Sequence, residues 1–267
     1  QVGADAITQV DQEVRYTIVN DAGASVYSAS AVARAEFPKF NVEERSAISI
    51  GRRLQDPLAE LVKIDPKSVG VGQYQHDVSE SGLDEQLDRV VETAVNQVGV
   101  DLNRASIELL AHISGLSKQT AKNIVAYREA NGSFSSRPEL KKVPRLGPKA
   151  YEQSVGFLRI INGKNVLDNT DIHPESYPVA KQVLEKLGLN LKQVGTPAVT
   201  LALEKVDIKN LSGQLNVGAA TLQDILSALQ RPGRDRRDEM PAPILRTDVL
   251  KMSDLKPGMK LQGTVRN

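Results

Sequence analysis

Apolar positions along the chain follow two periods. Between Leu83 and Val98 they fall at Leu87, Val90, Val91, Ala94, Val95 and Val98, the stripe of an amphipathic helix. From Asn103 onward the pattern is helical with short breaks. Leu109, Leu110 and Ile113 recur at helical spacing, Gly115 interrupts them, and Ala121, Ile124, Val125 and Tyr127 resume. The spacing predicts a helix through Leu110 capped by Asn103 or Ser106, a helix over 118–130, one helical turn over 139–142 and a helix over 149–157. A helix over 177–187 is stopped by Gly188, and two or three short helices fill 196–230. Residues 162–176 read as a polar connector, and the Pro-, Gly- and charge-rich stretch from Arg231 reads as a linker.

The first hundred residues are mixed. "RYTIVN" (15–20) alternates like a strand and runs into "DAGAS" as a turn. Residues 26–37 predict a helix ended by Pro38, and 43–61 a longer one interrupted by Pro57. The Gly-punctuated stretch 68–77 fits a strand or a loop, and residues 254–267 begin a new strand-like segment.

The break at Gly115 has a partner. "ISGLSKQTAKNI" from Ile113 aligns with "VPRLGPKAYEQS" from Val143 at an offset of 30 positions. Ile113 matches Val143 and Leu116 matches Leu146; Gly115 stands opposite Arg145, and Ser117 opposite Gly147. Each turn follows a short apolar helix and opens another with Lys nearby. Two such units can pack as a pseudo-symmetric pair.

Charge sharpens the picture. The chain carries a net +1 over 267 residues, but residues 1–100 balance at −7, 101–160 at +5 and 161–267 at +3. Any nucleic-acid contact therefore belongs in the middle segment. Aromatics are 4% with no Trp, which argues against base stacking as the main grip on single strands. Cysteine is absent, which excludes disulfides and thiolate metal sites and fits a reducing, cytoplasmic setting. No apolar run reaches membrane-spanning length and no leader opens the chain, so no membrane partner is expected. The start at Gln1 and the strand-like end suggest a piece of a larger protein.

A helix start exposes unpaired N–H groups and a partial positive charge, and glycine lets an anion approach closely. Successive N–H groups in such a turn make a nest for an anion. The candidate binding set is Gly115, Ser117, Lys118, Lys122, Arg145, Gly147 and Lys149. Base-reading chemistry is not evident, so contact with the sugar-phosphate backbone, without sequence preference, is expected.

Residues 100–153 closely resemble a tandem helix-hairpin-helix domain. Asn103, Ala105 and Ser106, with Tyr127, Arg128, Gly132 and Phe134, look like the subfamily found in competence DNA receptors. The sequence departs from the motif where Ser117 and Arg145 each replace a glycine. "DAGASVYSAS" (21–30), "RRLQDPLAELVKIDPKSVGVGQYQHDV" (52–78) and "RPGRD" (231–235) resemble the Tex family of bacterial transcription accessory proteins. The resemblance implies a multidomain, mainly α chain. It comprises a partial α/β YqgF/RuvC-like domain of RNase-H fold (1–100), the tandem helix-hairpin-helix (101–162), a second, helix-hairpin-helix-like helical domain (163–230), a linker (231–254) and the truncated start of an OB-fold RNA-binding domain (255–267). RNA or DNA, and the transcription machinery, are the implied partners.

RuvC-like nucleases need several carboxylates around divalent metal ions. Asp21 and Asp77 resemble positions of that set, but two carboxylates do not complete it. His76, His112 and His173 lack ligand spacing. The sequence thus points to non-catalytic backbone binding without metal or cofactor. A metal-dependent RuvC-type nuclease and a protein–protein scaffold are the alternatives.

Overall fold

The computed structural model describes residues 17–70, 72, 75–233 and 257–258. Helices dominate. The first group is α1 (Ala24–Ala29), α2 (Ala31–Glu36), α3 (Val42–Gln55), α4 (Pro57–Leu61), α5 (Pro66–Val69) and the long α6 (Glu80–Val98). Two short strands, β1 (Val100–Asp101) and β2 (Leu158–Arg159), flank α7 (Ile107–Ala111), α8 (Lys118–Asn131), a 3₁₀ turn at Arg137–Lys142 and α9 (Pro148–Ser154). Then come α10 (Tyr177–Lys186), α11 (Pro197–Leu203), α12 (Ile208–Leu215) and α13 (Ala219–Gln230).

Local chemistry sets most boundaries. Pro57 begins α4 at a position where its missing N–H costs nothing, with Asp56 capping Ala59. Asn41 and Glu44 form a reciprocal capping box at the start of α3. Gly188, at φ +68°, ends α10 as expected.

The structure corrects several expectations. Residues 17–20 are not in a strand, and residues 15–16 lie outside the described residues. The buried Arg53 guanidinium instead takes the carbonyls of Asn20 and Ala22, both at 2.8 Å. Among the described residues, those from 17 to 98 hold helices and no strand, so the α/β character expected of this segment is not seen in them. The helix expected over 26–37 breaks at Ser30, whose Oγ accepts the Ala33 N–H and starts α2 afresh. The stretch expected as strand or loop from Ser68 begins as the end of α5, capped by Asp65. Residues 162–176 are no solvated connector, because Leu167, Asp168, Thr170 and Ile172 are buried there. The expected linker from 234 onward and the OB-fold start lie outside the described residues, apart from 257–258.

Three apolar clusters result. A small one joins Tyr27, Ala33 and Ile64; a second runs from Val95 to Ile160; a third runs from Leu167 to Leu229. The parallel pairing of β1 with β2, Val100 beside Leu158, ties the ends of the second unit together.

The second and third units meet at Arg137, which is fully buried. Its Nε donates to the Leu158 carbonyl at 2.7 Å, and Nη1 and Nη2 donate to the carbonyls of Ile172 and Thr170 at 2.8 and 2.7 Å. Nη1 also donates to the Tyr177 hydroxyl at 2.8 Å, which in turn donates to the buried Asp168 carboxylate at 2.8 Å. Burial, aided by Asp168, pushes the Tyr177 hydroxyl far above its usual pKa, so it stays a phenol that can make both bonds. Lysine cannot span this set of acceptors, and an apolar residue leaves buried carbonyls unpaired. Arg137→Lys and Arg137→Met are each expected to lower unfolding free energy by about 3 kcal/mol or more, read from urea denaturation.

Candidate nucleic-acid interface

The two turns are copies in three dimensions. In the first, the Leu116 N–H donates to the Ile113 carbonyl at 3.0 Å; in the second, the Leu146 N–H donates to the Val143 carbonyl at 3.2 Å. Ile113, Val143 and Leu146 are buried in one shared cluster, against which Leu116 packs. The backbone is left-handed at both matched positions, with φ +84° at Gly115 and +63° at Arg145. Arg145 therefore departs from glycine in sequence and keeps its conformation. That backbone costs a non-glycine residue roughly 1–2 kcal/mol, so the arginine side chain is retained against a penalty.

The other glycine position behaves differently. Gly147 and Ser117 precede α9 and α8 with ordinary extended angles, φ −72° and −98°. The Ser117 hydroxyl accepts the Thr120 N–H at 3.2 Å, and Thr120 Oγ1 accepts the Ser117 N–H at 2.7 Å. Gly147 makes no side-chain cap, and a Cβ there would meet nothing within 4 Å. The second hairpin thus offers the more open backbone. Gly115 has another reason to be glycine: a Cβ would sit 2.6 Å from Gln153 Cβ and 3.2 Å from the Ala150 carbonyl oxygen. It lets the first turn press against α9.

That contact has a mirror. Asn123 Nδ2 donates to the Pro144 carbonyl at 2.8 Å, so the second turn rests against α8. At the offset of 30, Asn123 corresponds to Gln153, and Pro144 to the residue before Gly115. Each turn therefore leans on the second helix of the other hairpin, as a pseudo-two-fold axis requires. In sequence, Lys122 adjoins Asn123, Arg145 adjoins Pro144 and Lys149 adjoins Ala150, residues of these two crossings. Lys118, Lys122, Arg145 and Lys149 are exposed, and among the described residues none of them forms an ion pair.

Three other cations of this segment face inward. Arg128 holds the carbonyls of Leu102 and Ala105 at 2.9 and 3.2 Å, Arg137 is buried, and Arg159 pairs with Asp171. Sequence charge alone does not separate them from the outward set. The subfamily residues are structural too. Asn103 takes the Phe134 N–H and donates to its carbonyl, at 2.8 and 2.9 Å; Ser106 caps α7; Tyr127 stacks on Phe134 at 5.3 Å; Gly132 ends α8 at φ +85°.

Asp21 and Asp77 are both exposed, Asp21 in the turn before α1 and Asp77 in the loop before α6. Among the described residues no group of three or more His, Asp or Glu is placed to hold a metal ion. Burial holds the half-buried His112 imidazole below its usual pKa, against the pull of Asp88 and Glu92. Among the described residues no helix is long and apolar enough to cross a membrane.

Two matched hairpins in one core, each a helix, a left-handed turn and a second helix, define a tandem helix-hairpin-helix protein. Comparison with known sequences agrees. Residues 95–159 match the helix-hairpin-helix motif, 165–237 the HHH domain, and 1–55 the Tex protein YqgF-like domain. Bacillus subtilis YdcI is 57% identical over 263 residues, covering 98% of this chain and 37% of that protein. The transcriptional accessory protein Tex of Neisseria gonorrhoeae is 51% identical over 251 residues, 94% of this chain and 33% of its own length. Human S1 RNA-binding domain-containing protein 1 is 40% identical over 308 aligned positions, 96% of this chain and 31% of that protein. The chain belongs to the Tex family and spans about a third of the length of these relatives.

Two substitutions separate backbone from packing. Arg145→Gly is expected to raise stability by up to about 1 kcal/mol, because glycine adopts the left-handed turn freely. Gly115→Ala is expected to lower it by about 1–3 kcal/mol, through the clash with Gln153 and the strained φ. Thermal unfolding followed by circular dichroism measures both.

Proposed function

We propose that this chain holds nucleic acid by its sugar-phosphate backbone, without sequence preference and without catalysis, as part of a transcription accessory factor. The observation that carries this reading is the pair of matched turns with Lys118, Lys122, Arg145 and Lys149 exposed and unpaired among the described residues. Phosphate contacts position a protein on a nucleic acid and carry no sequence information. Gly115, Ser117 and Gly147 shape the backbone that meets the phosphate. Contacts of this kind alone give a Kd of about 10⁻⁴ to 10⁻⁶ M with steep salt dependence.

The pseudo-two-fold relation favours a duplex. The two strands of a double helix run antiparallel and are related by two-fold axes across it, so paired turns can take one backbone each. A single strand has no such symmetry. We read residues 1–100 as part of an RNase-H-like domain, in keeping with the YqgF-like match over 1–55. A relative named for transcription and another named for RNA binding support RNA or DNA as ligand and the transcription machinery as the setting.

Fluorescence anisotropy with labelled mixed-sequence duplexes and single strands of DNA and RNA, across a salt series, tests the reading. Duplex is expected to bind more tightly than single strand. Reversing Lys118, Arg145 and Lys149 to Glu together is expected to abolish salt-sensitive binding. Single reversals should flatten the slope of log Kd against log salt by about 0.9 for each phosphate no longer neutralised. Salt-sensitive binding that survives the triple reversal overturns the assignment.

A further inference from the structure

The two turns are matched in shape but not in how they are held. Residue 144 of the second turn is proline, whose ring fixes φ near −65° and removes an N–H. It follows Val143 in the extended conformation a residue before proline needs, φ −71° and ψ 127°. The matched residue of the first turn is Ser114, which has a free φ and an N–H to satisfy. Both needs are met from outside the hairpin. The Ser114 N–H donates to Asn96 Oδ1 at 3.1 Å, and Asn96 Nδ2 donates to the His112 carbonyl at 3.1 Å. Asn96 thereby spans residues 112–114 as a two-point clamp. It sits in the last turn of α6, and Glu92, one turn earlier, accepts the Ser114 hydroxyl at 2.7 Å.

We propose that Asn96 is a positioning residue for nucleic-acid binding, holding the first turn in its phosphate-ready shape as Pro144 holds the second. This role rests on the backbone-binding function proposed for the hairpins. The first turn needs such a brace because its left-handed residue is Gly115, the least restrained residue type. A turn that must order itself on binding loses affinity for that reason alone. Asn96 touches no ligand in this scheme; it acts through Ser114 and the backbone leading to Ser117 and Lys118.

The test compares the chain with Asn96→Ala and with Asn96→Ala combined with Ser114→Pro, in which the ring replaces the missing clamp. Asn96→Ala is expected to weaken duplex binding roughly three- to tenfold. The double variant is expected to recover most of that affinity. Amide hydrogen exchange over residues 112–117 provides a readout independent of ligand, and is expected to quicken in Asn96→Ala and slow again in the double variant. Unchanged binding and exchange in Asn96→Ala overturn the proposal, as does a folded double variant that fails to recover binding. If the unmodified chain binds no duplex, the backbone-binding reading itself has failed; the exchange data then still judge the clamp.

Discussion

The guanidinium of Arg137 sits where the hairpin pair meets the helices that follow, and it takes carbonyls from both sides. Leu158 belongs to the strand that closes the first of these units; Thr170 and Ile172 belong to the segment that opens the next. Those carbonyls have no water to turn to. Burying a charge this deeply is tolerable only when its donors are matched and a counter-charge is near. Tyr177 and Asp168 supply the rest, and Asp168 also takes the Arg137 N–H at 3.0 Å. The consequence reaches the proposed interface. The 3₁₀ turn carrying Arg137 leads directly into Val143, so the anchor of the domain boundary also sets the approach to the second turn.

Charge in the middle segment thus divides into two populations. Arg128, Arg137 and Arg159 build structure, while the lysines, Arg104 and Arg145 face solvent. The planar, permanently charged arginine suits the inward role, because its fork can meet several carbonyls at once. Lysine, a strongly hydrated point charge, suits the outward one. Arg145 faces out from a backbone conformation that arginine seldom adopts.

Much of this is legible in the sequence. The offset of 30 between the hairpins, the apolar matches at Ile113 and Val143, and the stop at Gly188 follow from periodicity and turn chemistry. Arg137 is not, because an arginine in "SSRPE" reads as a solvated loop residue until the carbonyls around it are placed. Gly115 reads as room for a ligand, yet its Cβ position is claimed by Gln153, thirty-eight residues away in sequence. Ser30 reads as a helix interior residue, and only its capping bond reveals a boundary. The clamp from Asn96 to Ser114 is likewise a long-range bond with no local signature.

The pairing of Val100 with Leu158 has an architectural consequence. The chain enters the hairpin unit and leaves it along neighbouring strands that run in the same direction, so it comes in at one end of the pair and goes out at the other. The preceding and following segments therefore attach at opposite ends of that pair, and the hairpin unit is carried in line within a larger chain. The same clip makes the repeat one folding unit, since neither hairpin owns both strands.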